Sequence, residues 1–180
     1  MSVQGAHFDG VRAAAAVGMM TSAMLSGAIL SSSAFGVPAL LTTSGATDAP
    51  LSLLRAFERF YNRGKAAVPP FATLSAASFT YAALRASSVP FVTNRTFAAA
   101  HRSFLFGAAA ALTIGILPYT LLVMIPGIKT LVKGAEDKLE AKKLGSDRAI
   151  GGVVAWNAQN WVRGALPLVG CVLGTWASFA

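Results

Sequence analysis

Residues Trp156–Ala180, WNAQNWVRGALPLVGCVLGTWASFA, form the last helix-length apolar run of the chain, and a guanidinium stands inside it. Arg163 lies among Trp161, Val162, Gly164, Ala165 and Leu166, and no acidic residue follows Asp147. An arginine at bilayer depth costs about 2.5–3.5 kcal/mol on insertion scales, so it usually faces the interior of a helix bundle. At about 100° per residue, Trp156, Asn160, Arg163 and Pro167 fall on one helical stripe roughly 60° wide. An indole, an amide and a guanidinium aimed one way make a pocket wall. The competing reading is that Arg163 snorkels to the headgroups or ties two helices together. Both readings stand at this point.

Composition sets the class of the surrounding structure. The 180 residues are 54% hydrophobic and 12% charged, with a mean hydropathy of +0.58. An average soluble domain carries about 25% charged residues. This is the composition of an integral membrane protein. The net charge of +8 would suit nucleic acid, but the basic residues sit in loops between apolar runs. Anionic lipid headgroups are the natural counter-ions there, so the lipid bilayer is the expected partner and nucleic acid is not. The single cysteine, Cys171, makes no intramolecular disulfide and has no second thiol or nearby histidine with which to ligate a metal. One arginine precedes a long apolar run without a tidy cleavage site, which reads as a retained span rather than a signal peptide.

The expected fold is all-α, an integral membrane four-helix bundle forming a single membrane domain over residues 1–180. Residues Met1–Gly10 read as a short tail. The first span covers about 12–35 and ends at Gly36-Val37-Pro38, with Gly18, Ser22 and Ser26 as a small-residue seam spaced by four. A loop at Thr42–Pro50 leads to an amphipathic helix at 51–65. There Leu53, Leu54, Phe57, Phe60 and Tyr61 share one arc, while Arg55, Glu58, Arg59, Asn62 and Arg63 share the other. It is too charged to span and is expected in the headgroup plane, apolar face down. Pro69-Pro70 opens a second span at 70–86. A basic loop with a Val-Pro turn follows. The third span, 103–124, has Gly107, Ala111 and Gly115 as its small face, a kink at Pro118 and an end at Pro126-Gly127. A mixed-charge loop at 129–148 holds a helical stretch at Lys133–Lys143, and the fourth span covers about 150–175, with Gly170 and Gly174 spaced by four.

Charge then orients the chain. Loops 42–69 and 129–148 hold ten basic residues, against four (Arg12, Arg85, Arg95, Arg102) in the tail and second loop. The positive-inside rule makes the two richer loops cytosolic. Tyr61, Pro118, Tyr119, Trp156, Asn160 and Arg163 all fall toward that side, where a half-buried cavity between the third and fourth spans is expected, roofed by the interfacial helix. His101, the one histidine outside the tail, lies some 18 residues before Tyr119, about 27 Å along a helix, and is read as an exposed loop residue. The chain has no His/Cys/Asp/Glu cluster at metal-ligand spacing, no glycine-rich phosphate loop and no paired carboxylates. Metal: none is expected. Chemistry must come from a tyrosine, an amide and an arginine, or from the substrate.

Three segments resemble a known family. The run Leu54–Lys65, followed by Pro69-Pro70, resembles the Y-x-x-G…P signature of the anthrone oxygenases, small four-span membrane proteins. Pro118-Tyr119-Thr120 through Pro126 resembles that family's proline–aromatic–Thr segment. Trp156…Asn160…Arg163 resembles its W-x-x-x-[NH]-x-x-R pattern. Gly127-Ile128 departs from the Thr-Asn pair expected after the proline, so any polar role there is lost. The resemblance implies oxidation of an anthrone to a quinone by O₂ in aromatic polyketide pathways, with no cofactor. As the resemblance has it, the partners are a hydrophobic aromatic substrate and O₂.

On that footing Arg163 and Asn160 would hydrogen-bond the anthrone oxygen as an oxyanion hole. Trp156 and Tyr61 would stack on the rings, with Thr120 beside them in the substrate-binding set. Tyr119 would relay the proton, with Glu58 a second candidate base. The localisation implied is an endomembrane, the ER or a vesicle. The rival is a non-catalytic four-span scaffold that gathers soluble pathway enzymes, or further copies of itself, at the membrane. A transporter is a third reading, weakened by small size and the lack of inverted repeats.

Overall fold

A computed structural model describes residues 3–42, 49–86 and 97–179. Helix α1 (Val3–Ser31) passes through a π turn at Ser32–Gly36 into α2 (Val37–Thr42). Helix α3 covers Ala49–Ala86, and α4 is the single turn Phe97–Ala100. Helix α5 (Arg102–Tyr119) passes through a second π turn at Thr120–Met124 into α6 (Ile125–Ala135), followed by α7 (Lys138–Leu144) and α8 (Ser146–Phe179). The described chain is therefore all-α. Among the described residues three helical runs are long and apolar enough to cross a membrane: Gly10–Thr42, Arg102–Ala135 and Ser146–Phe179.

Several expected boundaries change. The tail is helical from Val3. The separate interfacial helix at 51–65 and the span at 70–86 are one helix, α3, which is not among the three runs apolar enough to cross. Prolines 69 and 70 offer no N–H to the carbonyls of Lys65 and Ala66. Residues 62–67 are exposed, so water can solvate those carbonyls and the helix continues. The third helical run does not stop at Pro126-Gly127 but reaches Ala135, because Pro126 falls in the first turn of α6, where a missing N–H is harmless. The single helix expected at Lys133–Lys143 is interrupted instead. Asp137 caps α7 by accepting from the Glu140 N–H at 2.9 Å, and Gly145 ends it at φ +78°, a conformation that suits glycine. The loop at 43–48 and the Val89-Pro90 turn lie outside the described residues.

Both π turns precede a proline. Val37 N–H reaches the Ser32 carbonyl, and Ile125 N–H reaches the Thr120 carbonyl, each five residues back. Pro38 and Pro126 follow immediately and leave the carbonyls of Ala34 and Leu122 without their usual donors. The wider turn absorbs the interruption without ending the helix.

The chain divides into two units. One comprises Met1–Ser26, Pro70–Leu117 and Ala165–Ala180. Its centre is Phe79, fully buried and stacked on Phe106 at 6.4 Å between centroids. A Cβ at Gly18 would stand 2.8 Å from the Phe79 ring and one at Gly174 2.5 Å from it, so both glycines are there to admit the ring. Buried Ser22 donates to the Pro167 carbonyl at 2.7 Å, and buried Ser75 to that of Gly18 at 2.9 Å. The expected Gly18 and Ser22 seam thus packs. The expected stripe on α5 does not: Ala111 is exposed and nothing lies within 4 Å of a Cβ at Gly107 or Gly115. That helix packs instead through Leu105, Phe106, Ala109, Ala110 and Thr113.

The other unit comprises Gly27–Pro69 and Pro118–Gly164. Leu51, Leu53, Leu54 and Phe57 of α3 are buried against Met124, Ile128 and Leu131, and against Ala149, Val153 and Trp156 of α8. The apolar arc read as a lipid-facing surface is therefore covered by protein. A period of 3.6 reports only that a face is buried, and three facing helices with matching apolar positions supply the cover here.

Phe79 is wedged between two glycines and has no free volume in which to move. Gly174→Ala is expected to destabilise the detergent-purified protein by about 1–3 kcal/mol through overpacking. Gly107→Ala, facing open space, is expected to be neutral or to gain up to about 1 kcal/mol of helix propensity. Thermal melting of the two variants against wild type checks both signs.

Candidate active site

Helix α8 aims the predicted stripe inward. Trp156, Asn160 and Arg163 are 4%, 0% and 7% exposed, although Trp161 and Val162 between them are exposed. Arg163 is covered by protein along its stem and at Nε, as the inward reading of the stripe expects. Gly164 permits close approach here: a Cβ on it would stand 2.6 Å from Leu30.

Asn160 is held from the first helical run. Its Nδ2 donates to Ser33 Oγ at 2.8 Å and to Ser32 Oγ at 3.1 Å, and lies 3.3 Å from the Ile29 carbonyl. Ser32 Oγ in turn donates to the same Ile29 carbonyl at 2.7 Å. A carbonyl only accepts, and the Ser32 hydrogen is already committed to it, so the amide nitrogen must face α1 and Oδ1 must face away. The sequence reading expects Asn160 to hydrogen-bond the substrate oxygen. Its N–H groups are engaged with the π turn, and what it retains for a ligand is an acceptor.

Trp156 meets Phe57 edge to face at 5.2 Å and Phe60 at 6.0 Å, with interplanar angles of 85° and 79°. Tyr61 lies parallel to Phe57 at 6.3 Å, and Lys65 Nζ stands 5.8 Å from the Tyr61 ring centre. Tyr61 and Tyr119 are half-buried and pack against the cluster that contains Trp156. Thr120 opens the second π turn beside Tyr119. All six predicted residues thus belong to the same unit. Phe57 and Phe60, which the sequence reading assigned to lipid, pack on Trp156 instead, and Ser32, Ser33 and Asn157 went unnoticed. Three consecutive serines, Ser31–Ser33, and the following Pro38 are the sequence features at the first π turn.

The polar inventory of the stripe is unbalanced. Trp156 Nε1, Asn157 Oδ1, Asn160 Oδ1 and Arg163 Nε are buried without a hydrogen-bond partner. Pro167, inside α8, has no N–H for the Arg163 carbonyl four residues before it. Each buried, unpaired polar group costs about 1–3 kcal/mol. Four on two turns of one helix form an array of two donors and two acceptors, lined by aromatic rings. Such an array can hold a flat molecule that both accepts and donates hydrogen bonds, and it can place positive charge beside an oxygen. The cavity expected beside these residues has no counterpart in the two clefts that open elsewhere. One, of about 240 Å³, is flanked by Arg12 and Arg102. The other, of about 250 Å³, is lined by Lys133, Glu140, Lys143 and Arg148. Among the described residues no group of three His, Cys, Asp or Glu side chains is placed to hold a metal ion.

A family model described as Anthrone oxygenase matches residues 57–173, an interval that contains all six predicted site residues. The anthrone oxygenase encC of Aspergillus fumigatus is 33% identical over 166 residues, covering 86% of this chain and 86% of that protein. An anthrone oxygenase of Claviceps purpurea is 29% identical over 160 residues, covering 88% and 84%. The monooxygenase hypC of Dothistroma septosporum is 30% identical over 156 residues, covering 87% and 77%. No solved structure matches the chain.

A buried guanidinium without a carboxylate is costly to retain, and replacing such a charge with an apolar side chain of similar volume is commonly neutral or stabilising by about 1–4 kcal/mol. Arg163→Met is therefore expected to melt at or above the wild-type temperature. A large fall in melting temperature would instead make Arg163 a structural tie.

Proposed function

The chain belongs to the anthrone oxygenase family, and from that premise we propose that it is a membrane-embedded oxygenase that converts an anthrone-like aromatic polyketide to a quinone with O₂, without a bound cofactor. The observation that carries the reading is buried Arg163, its Nε unpaired, on the same helix as the buried and unpaired Trp156 indole.

The chemistry asks little else of the protein. Loss of a proton from the central methylene of an anthrone yields an aromatic anthrolate, whose negative charge resides largely on the ketone oxygen. The anthrolate passes an electron to O₂, and the resulting pair recombines as a peroxide at the former methylene carbon. Loss of water leaves the second carbonyl: one oxygen atom enters the product, the other leaves as water, and no external reductant is consumed. Arg163 stabilises the developing oxyanion. A preorganised donor in a dry site contributes several kcal/mol, or about 10²–10³ in rate. Trp156 and Tyr61 hold the ring system, Thr120 lines its edge, and Tyr119 relays the methylene proton. Tyr61, Tyr119 and Thr120 are the members of the set that reach the surface, and the substrate enters past them.

The membrane supplies the hydrophobic substrate and concentrates O₂. The runs Gly10–Thr42, Arg102–Ala135 and Ser146–Phe179 provide three crossings. The second half of α3 supplies a fourth, with exposed Phe71, Leu74, Tyr81 and Leu84 turned to lipid. With four crossings, residues 42–69 and 129–148 face the cytosol by their positive charge, and an endomembrane is the expected location.

Oxygen uptake by the detergent-purified protein, offered an emodin-type anthrone with and without a metal chelator, tests the proposal. Uptake matched one to one with quinone formation and indifferent to chelator is the expected result. Arg163→Leu should abolish it in a protein that remains folded. Chelator sensitivity would overturn the cofactor-free mechanism. A wild-type rate no faster than spontaneous oxidation would favour a membrane scaffold for soluble pathway enzymes.

A further inference from the structure

The engagement of Asn160 with the first π turn has a consequence for substrate selection that rests on the oxygenase reading above. An amide free to turn would offer an anthrone either its N–H₂ or its oxygen. Here Ser33 Oγ at 2.8 Å and Ser32 Oγ at 3.1 Å take the two amide hydrogens, and the Ile29 carbonyl at 3.3 Å excludes the flipped amide. Consecutive side chains on a regular α-helix diverge by about 100°. It is within the widened turn that Ser32 and Ser33 both meet one nitrogen. The amide oxygen is buried and unpaired, three residues from the Arg163 Nε and four from the Trp156 indole N–H, both also unpaired.

We propose that Ser32 and Ser33 are positioning residues that lock the Asn160 amide so that it presents only its oxygen to the site, where that oxygen accepts a hydrogen bond from a hydroxyl of the substrate. The ketone oxygen of the anthrone takes the donors, Arg163 Nε and Trp156 Nε1. A ring hydroxyl then satisfies Asn160 Oδ1. The site so built selects anthrones that carry a free hydroxyl over those that lack one, because the deoxy molecule leaves a buried acceptor unpaired. Ser33 never touches the substrate; it acts through the orientation of Asn160.

The test is anaerobic binding of a hydroxyanthrone, and of the same anthrone with the hydroxyl replaced by hydrogen, to the full-length protein in detergent, read by quenching of tryptophan fluorescence. Wild type is expected to bind the hydroxyanthrone tighter by about tenfold or more. Ser33→Ala is expected to bring that ratio toward one by weakening the hydroxyanthrone alone, leaving affinity for the deoxy compound unchanged. A merely structural role for Ser33 would weaken both equally and preserve the ratio, which overturns the positioning assignment. Equal affinity of wild type for the two compounds overturns the proposal without any variant. Admitting oxygen separates the two levels. Discrimination in binding without turnover removes the oxygenase reading and leaves the acceptor in place. Turnover without discrimination does the reverse.

Discussion

A polar group carried into a dry helical interior must find a partner, and the partners available are the carbonyls and hydroxyls of neighbouring helices. Ser22 on the Pro167 carbonyl, Ser75 on that of Gly18, and Arg102 Nε on that of Ala177 at 2.7 Å obey this constraint. Each fixes the approach of one helix to another at a chosen height. At Gly170 a Cβ would stand 3.0 Å from the Ala109 carbonyl oxygen, so this glycine lets two backbones approach. Against that background the stretch from Trp156 to Arg163 is the exception, since four buried polar atoms there lack partners. An indole, two amides and a guanidinium left wanting on one helix are the basis on which a ligand site is proposed there.

Proline shapes the rest. Pro38 and Pro126 each interrupt the donor series of an apolar helix, and each interruption is met by a π turn just upstream rather than by a helix end. The first of these turns carries Ser32 and Ser33, and the second begins at Thr120 beside Tyr119. Pro69 and Pro70 produce no such turn in α3, where solvent replaces the lost donors. The same residue type thus gives a π turn before Pro38 and before Pro126, and none at the Pro69-Pro70 pair.

The stripe on α8 was legible because one charged residue in an apolar run admits few explanations, and helical spacing then names its neighbours. The packing of Gly18 and Ser22 was legible for the same geometric reason. The Gly107, Ala111 and Gly115 stripe had identical spacing and faces outward, so small residues at four-residue intervals permit contact without requiring it. The apolar arc of α3 was seen, but periodicity does not distinguish lipid from protein as its cover. Its partners, Ile128, Leu131, Val153 and Trp156, are more than sixty residues away in sequence. The anchoring of Asn160 was not legible at all. Its serines lie 127 and 128 residues away, in a turn whose width leaves no trace in composition.

The central claim is that the Arg163 guanidinium meets the oxygen of a bound aromatic ketone. Infrared difference spectroscopy of a carbonyl-labelled anthraquinone, the stable product, bound to wild type and to Arg163→Leu reports that contact directly. A carbonyl stretch shifted to lower frequency in wild type and restored in the variant is the expected result. A stretch at the same frequency in both proteins, with the quinone bound, would contradict the account.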